Sequence, residues 1–227
     1  MKKNLVILSG AGISAESGIK TFRDSGGLWE GHDVTKVASP QGWKADPAMV
    51  LDFYNQRRKN VRDAHPNKAH LFLAELENYF NVSIITQNID DLHERAGSTK
   101  IIHLHGEILK AQSSINQDLI YEIKEKDIHI GDLCELGSQL RPFIVWFGEP
   151  VPKLELAALE VMKADIFLII GTSLQVYPAA GLTQYVQSAC NKIIIDPNAN
   201  DLHIPGDFTS ISKTAENSIP QLKQLLL

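Results

Sequence analysis

A glycine-rich turn and five short polar clusters hold the side chains of this sequence best suited to chemistry. Gly10, Gly12 and Ala15 stand in G-x-G-x-x-A spacing across Gly10-Ala11-Gly12-Ile13-Ser14. Glycines so placed let backbone N–H groups approach phosphate oxygens, as in a dinucleotide-binding turn. Such a unit normally continues as a helix and a second strand ending in an acidic residue. Here Gly18 follows almost at once, then Phe22, Arg23, Asp24, Gly26 and Gly27. The turn therefore leads into a long loop that contains an arginine. The other clusters are Gln87-Asn88-Ile89-Asp90, His105-Gly106, Gly148-Glu149, Gly171-Thr172-Ser173 and Pro197-Asn198.

Taken singly, each cluster also has an ordinary reading. The glycine spacing can be a tight turn, and Gly171-Thr172-Ser173 can be a helix cap. His103 and His105 lie two apart on a strand, hence on one face, and in principle could chelate a metal. Neither has an obvious carboxylate or cysteine partner nearby in the sequence. His65, His70, His93, His129 and His203 read as surface or helix-end residues. Trp29, Trp43 and Trp146 read as core.

The elements that must position these clusters alternate between strand and helix. Buried-strand runs fall at Asn4–Ser9, Val82–Thr86, Lys100–Leu104, Pro142–Phe147, Asp165–Ile170 and Lys192–Asp196. Helical spacing runs from Pro47 to about Ala64, over Asn67–Phe80, Leu154–Lys163 and Pro178–Ala189. A closing helix fits Ser218–Leu227 with Pro220 in its first turn. This order predicts an α/β fold, a Rossmann-like parallel sheet with helices on both faces. Each cluster then follows the carboxyl end of a strand, where such sheets bind ligands. Two stretches have no place in that sheet. They are the helices between about His32 and Phe80, and the polar, weakly periodic Glu107–Leu140. The division expected is a Rossmann-like domain over 1–31, 81–106 and 141–227, with a small helical or irregular module inserted at 32–80 and 107–140, and a ligand cleft between them.

Composition narrows the function class. The 227 residues are 44% hydrophobic and 22% charged, with a net charge of -5. That balance argues against nucleic acid as the main partner. Arg57-Arg58-Lys59-Asn60-Val61-Arg62 is a local basic stretch and reads mainly as a solvated helix face. Two cysteines, Cys134 and Cys190, suit a reducing cytoplasm. The apolar run Leu5–Leu8 is shorter than a signal h-region, and none reaches the ~18 residues of a membrane span. A cytoplasmic monomer without a membrane or direct nucleic-acid role is expected.

Taken together and in order, the motifs resemble the sirtuins, the Sir2 family of NAD-dependent protein lysine deacylases. The matching stretches are Gly10–Ser14 through Gly18-Ile19 and Phe22-Arg23, Thr86–Asp90, His105-Gly106, Val145–Glu149, and Gly171–Ser173 with Val176 and Pro178-Ala179. They span nearly the whole chain. The resemblance implies that NAD is consumed as a co-substrate and accounts for the arginine-bearing loop, which would close over the nicotinamide ribose. It implies cofactor contacts from Gly10, Ala11, Gly12, Ser14, Phe22, Arg23, Gln87, Asn88, Ile89, Asp90, Gly171, Thr172, Ser173, Asn198 and Ala215. Asn88 would hold the nicotinamide end and His105 would be the general base, with Asn88 and His105 as the catalytic pair. Val145, Phe147, Gly148 and Glu149 would bind an acylated lysine in a protein partner, leaving nicotinamide and O-acyl-ADP-ribose as products. A mono-ADP-ribosyltransferase, an NAD hydrolase and a non-catalytic NAD sensor remain as alternatives.

Two departures from the family pattern matter. Thr21 stands where many sirtuins have aspartate, and Tyr54 with Arg57 resembles the subgroup that removes succinyl and malonyl groups. The family also usually carries two cysteine pairs between the His-Gly and Trp-Phe-Gly motifs. Here that span holds Cys134 alone, with Ser113 and Ser114 where the first pair would begin. One thiolate cannot build a four-ligand zinc site. No zinc is expected, and the module would be held by Leu109, Ile115, Leu119, Ile120, Ile123, Ile128, Ile130 and Leu133.

Overall fold

A computed structural model describes residues 2–21, 28–29, 32–202 and 207–227. Its strands are β1 Asn4–Ser9, β2 Leu28–Trp29, β3 His32–Asp33, β4 Asn81–Thr86, β5 Ile101–His103, β6 Gly106–Ser113, β7 Ile120–Glu122, β8 Leu140–Ile144, β9 Ile166–Ile170, β10 Asn191–Ile195 and β11 Thr209–Ile211. Its α-helices are α1 Val34–Val37, α2 Pro40–Ala45, α3 Pro47–Asp63, α4 Lys68–Glu75, α5 Leu92–Arg95, α6 Leu154–Val161 and α7 Ala215–Leu226.

The main sheet is parallel, in the order β11-β10-β9-β1-β4-β5. Alternate side chains of its strands enter two separate cores. Leu5, Ile7, Ile84, Leu168 and Ile193 pack under α4 and α7 with Phe72, Leu73 and Leu222. Val6, Leu8, Ile85, Phe167 and Ile194 pack under α6 with Ala157, Ala158 and Val161. Because both faces are covered, the strands read as unbroken apolar runs. Each such side chain contributes roughly 1.5–3 kcal/mol of burial. From β1 the chain order runs outward through β4 and β5, then returns to β9 on the other side. The crevice at the carboxyl ends of β1 and β9 is therefore the topological switch point.

Several boundaries differ from the sequence expectation. Pro142–Phe147 is not a strand of the parallel sheet. Its residues enter β8, which pairs antiparallel with β6 in a separate sheet of order β7-β6-β8. The physical reason is Pro142, which has no N–H to give a central ladder and suits an edge strand. The place left open is taken by β11, too short and polar to announce itself. The stretch 107–140 is thus partly a sheet rather than irregular. Pro178–Ala189 forms a 3₁₀ turn over Ala179–Tyr185, with Gly181 weakening any α-helix there. The closing helix begins at Ala215, so Pro220 lies beyond its first turn. The Glu16 carboxylate accepts from the Glu216 N–H at 2.9 Å and caps that early start.

A buried acid ties α6 to the sheet. Glu160 accepts from Ser83 Oγ at 3.1 Å, Lys100 Nζ at 2.5 Å and Lys163 Nζ at 2.8 Å. Burial alone would push this carboxyl up, but the Lys100 and Lys163 hydrogen bonds outweigh it and hold the pKa at about 2. A carboxyl lowered from 4.5 to about 2 contributes stability above the higher value and loses it as pH falls between them. Glu160→Gln is expected to flatten the acid limb of a Tm-against-pH curve between those two values. An unchanged limb would mean other carboxylates carry the acid transition.

Candidate active site

The glycine turn packs against the β9 turn. Gly10 N–H donates to Ile170 O at 3.1 Å, and Gly12 N–H donates to Gly171 O at 2.8 Å. A Cβ on Gly12 would stand 2.8 Å from Gly171 Cα, and one on Gly171, whose φ is +66°, would meet Ile13 N at 2.3 Å. These glycines are therefore required by turn-on-turn contact. The chain then forms two 3₁₀ turns, Ala11–Ile13 and Ala15–Ser17. They stand where a dinucleotide-binding unit normally begins a helix.

Ser14, at the rim of this turn, is fully buried. Its hydroxyl donates to Asp90 Oδ2 at 3.0 Å and accepts from Asn88 Nδ2 at 3.1 Å. Asn88 and Asp90 follow β4, so the contact joins the ends of two neighbouring strands. Asp90 also accepts from Leu92 N–H at 3.2 Å. Burial pushes its carboxyl up, against the pull of the Leu92 and Ser14 bonds. Gln87 Nε2 donates to Thr172 Oγ1 at 3.1 Å, linking β4 to the turn after β9. Ile89 is buried in the core of the smaller, helical side, alongside Leu92 and Trp146.

His105 lies just beyond β5. Its Nδ1 stands 2.9 Å from Gln87 O. A carbonyl only accepts, so Nδ1 carries the proton and Nε2 keeps its lone pair. Burial pushes the imidazole below its ordinary value, with the Gln87 bond opposing it. The ring is therefore neutral at pH 7, with Nε2 as an available base. The backbone is also fixed, because His105 O accepts from Val145 N–H at 3.0 Å. Val145 is half-buried and Phe147 is exposed. The Gly148-Glu149 turn is held from within, since Glu149 Oε2 accepts from Trp146 N–H at 2.8 Å.

Other predicted residues fall at varying distance from this centre. Ser173 is half-buried in the β9 turn, Asn198 is exposed after β10, and Ala215 is buried at the start of α7. Phe22 and Arg23 lie outside the described residues. Tyr54 and Arg57 share a face of α3, and both are buried. Arg58 is buried too, donating to Ile108 O at 2.9 Å and lying 3.6 Å from Asp127. The basic stretch is therefore a solvated face only in part. Lys59 and Asn60 are exposed and Arg62 is half-buried, while Arg57, Arg58 and Val61 are buried, Arg58 under the chain after Glu107 that folds back over α3. Arg57 lines a cleft of about 450 Å³ with Ser17, Gly18, Ile19, Lys20 and Asn60.

Sequence reasoning missed the support beneath the site. His70 and His93 are buried, not surface residues, with ring centroids 5.0 Å apart. Burial pushes both imidazoles down, His70 to about 4. His93 Nε2 lies 2.9 Å from Ser9 Oγ, and Asn67 Nδ2 donates to Ile13 O at 2.7 Å. Together they brace both ends of the glycine turn. The capping box that starts α4 at Asn67 and His70 was the available signal. His103 does have a carboxylate partner. Its Nε2 is 2.6 Å from Glu94 Oε1, which faces it from α5. Burial pushes His103 down, but Glu94 outweighs it and holds the ring above its ordinary value.

The family assignment rests on one comparison above the others. A model of the Sir2 family matches residues 10–178. The chain belongs to the Sir2 family. This Sir2 chain is 56% identical over 225 residues to a Helicobacter pylori protein named NAD-dependent protein deacylase, covering 99% of this chain and 98% of that one. A Bacteroides thetaiotaomicron protein of the same name is 54% identical, with the same two coverages. A Sir2 homologue solved with NAD superposes with a TM-score of 0.87 at 40% identity, covering 99% of this chain and 90% of that one. A Sir2 structure with a deacetylated p53 peptide and 3′-O-acetyl ADP-ribose gives 0.82 at 28% identity, covering 99% and 94%.

The Sir2 chain departs from expectation in how its small sheet is held. Ile115, Ile120, Ile130 and Leu133 are exposed, so they do not replace a metal by packing. Ile128 is buried in a small core with Leu51 and Ala111, Ile123 packs against that core, and Leu109 packs against the core that holds Phe53 and Trp146. Polar contacts supply the rest. Ser113 Oγ, Cys134 Sγ and Ser138 Oγ meet within 3.0–3.4 Å of one another. Gln139 accepts from Gly131 N–H and donates to His129 O and Asp132 O. Among the described residues no group of three or more His, Cys, Asp or Glu is placed to hold a metal. Elemental analysis of purified protein is expected to find no stoichiometric zinc. One zinc per chain would overturn that expectation.

Proposed function

We propose that this Sir2 chain is an NAD-dependent protein lysine deacylase that removes acetyl and also succinyl or malonyl groups, releasing nicotinamide and O-acyl-ADP-ribose. The observation that carries the reading is the Ser14–Asn88–Asp90 cluster at the carboxyl edge of the sheet, with His105 anchored to the carbonyl of Gln87, the residue before Asn88. NAD supplies an electrophilic ribose carbon and a leaving group when bound. The chain's own residues then divide the remaining work. Asn88 and Asp90 offer an amide and a carboxyl to the nicotinamide carboxamide, which needs one donor and one acceptor partner. Asp90 retains acceptor capacity on oxygens already oriented by Ser14 and Leu92. The Gly10–Ser14 and Gly171–Ser173 turns border the switch point, where an elongated dinucleotide fits.

His105 takes the ribose hydroxyl proton on Nε2, with Nδ1 anchored to Gln87 O. The exposed Phe147 and half-buried Val145 flank the lysine stem beside it. Tyr54 and Arg57 select acidic acyl chains, because a guanidinium and a phenol both donate to a carboxylate. The test is a mass-spectrometric assay of acetyl-, succinyl- and malonyl-lysine peptides with NAD. Equal amounts of deacylated peptide and O-acyl-ADP-ribose are expected. NAD hydrolysis without peptide turnover, or ADP-ribose on protein, would overturn the deacylase reading. Among the described residues no helix is long and apolar enough to cross a membrane.

A further inference from the structure

The turn that carries Phe147 is locked by an ion pair that the site described above does not use. Arg141 Nη1 and Nη2 donate to Glu149 Oε1 and Oε2 at 2.9 and 3.0 Å, a bidentate fork. Both side chains are largely buried. Arg141 Nη2 also donates to Ile144 O at 3.2 Å. With its amide turned so that oxygen faces the guanidinium, Gln112 accepts from Arg141 as well. The guanidinium lies over the Trp146 ring, 3.9 Å from its centroid. Trp146 is thus gripped twice, through its ring by Arg141 and through its backbone N–H by Glu149.

What this grip does is visible at the far end of the indole. Trp146 Nε1 donates to Tyr54 Oη at 3.1 Å. An indole N–H is a donor only. The phenol must therefore accept from Trp146, and its single proton is directed elsewhere. Burial pushes the Tyr54 phenol far above its ordinary value, so it keeps that proton. Taking the acidic-acyl reading of Tyr54 and Arg57 as its premise, we propose that Trp146, held by Arg141, is a positioning residue. It commits the Tyr54 hydroxyl to donate to the acyl carboxylate and so raises the preference for acidic over neutral acyl chains.

A satisfied core tryptophan would show the same contact, so the test must separate orientation from packing. Trp146→Phe keeps an aromatic ring and removes the N–H. kcat and KM would be measured with NAD on succinyl- and acetyl-lysine forms of one peptide, for wild type, Trp146→Phe, Tyr54→Phe and the double variant. Trp146→Phe is expected to lower the succinyl-to-acetyl ratio of kcat/KM by about three- to tenfold, the scale of one hydrogen bond. The change should lie mainly in KM for the succinyl peptide. Tyr54→Phe should lower the ratio at least as far, and the double variant no further, because the N–H then has nothing to orient. Equal losses on both peptides, or single-variant losses that multiply in the double, would overturn the proposal. A wild type inactive on succinyl-lysine removes the premise and the proposal with it. A Tyr54→Phe that loses selectivity beside a Trp146→Phe that keeps it overturns the positioning role alone. Should Trp146→Phe fail to fold, Arg141→Lys decides. It keeps the charge but loses the fork and the stack, and an unshifted ratio there overturns the proposal.

Discussion

Replacing His105 with alanine is expected to cut deacylation by about 10²–10⁴ while leaving the fold intact. A methyl group cannot accept the ribose proton, and the imidazole nearest in sequence is already engaged. His103, two residues earlier, is bound to Glu94 and Asn88 O. The backbone of position 105 stays anchored by the Val145 N–H, which does not depend on the side chain. Because nicotinamide departs before this proton moves, part of the nicotinamide exchange should survive. The measurement is single-turnover deacylation beside exchange of labelled nicotinamide. Deacylation within about threefold of wild type would show that another group is the base, since a positioned base is worth far more. The wild-type pH profile offers a second check. Burial lowers the His105 pKa, so the acid limb of kcat/KM should fall below pH 6.5 rather than above it. A limb well above that value would argue against a neutral, buried imidazole.

Arg57→Met should cost desuccinylation at least about tenfold more than deacetylation. A hydrogen bond to a charged group is worth roughly 1.5–3 kcal/mol, and 1.4 kcal/mol is a factor of ten. Methionine keeps much of the stem's packing and removes the donors. Arg57 is suited to the role by its place on the cleft beside Ser17–Lys20, one turn from Tyr54. Its guanidinium also lies 5.8 Å from the Phe53 ring centroid, so part of its contribution is packing. Arg58 cannot replace it, because its guanidinium is engaged by Ile108 O, Asn55 and Asp127. Matched succinyl and acetyl peptides give the ratio directly. Equal losses on both would assign Arg57 to structure and end the specificity argument.

The parts of the site that were legible share one property: their signal is local. The glycine spacing, Gln87–Asp90, His105-Gly106 and Gly171–Ser173 each sit immediately after or beside a short apolar run. An apolar run buried on both faces fixes a strand, and a parallel strand fixes where its next residues emerge. The same reasoning placed α3 and α6 within a residue or two. It misplaced Pro142–Phe147 because that run is as apolar as a central strand, and only the pairing partner distinguishes them. It missed β11 because three residues, two of them exposed, carry no periodicity.

The sequence by itself therefore determined most of the order of elements, five of the six strands of the parallel sheet and the clusters that follow them. These follow from burial patterns of adjacent residues and from turn chemistry. Only the tertiary structure decided which polar groups meet. The Ser14–Asn88–Asp90 cluster joins residues 74 and 76 positions apart, and Trp146 reaches Tyr54 across 92. It also decided that Arg58, His70 and His93 are interior and that Ile115 and Leu133 are not. Burial of a charged or apolar side chain depends on what another segment lays over it, and no spacing within one segment encodes that cover.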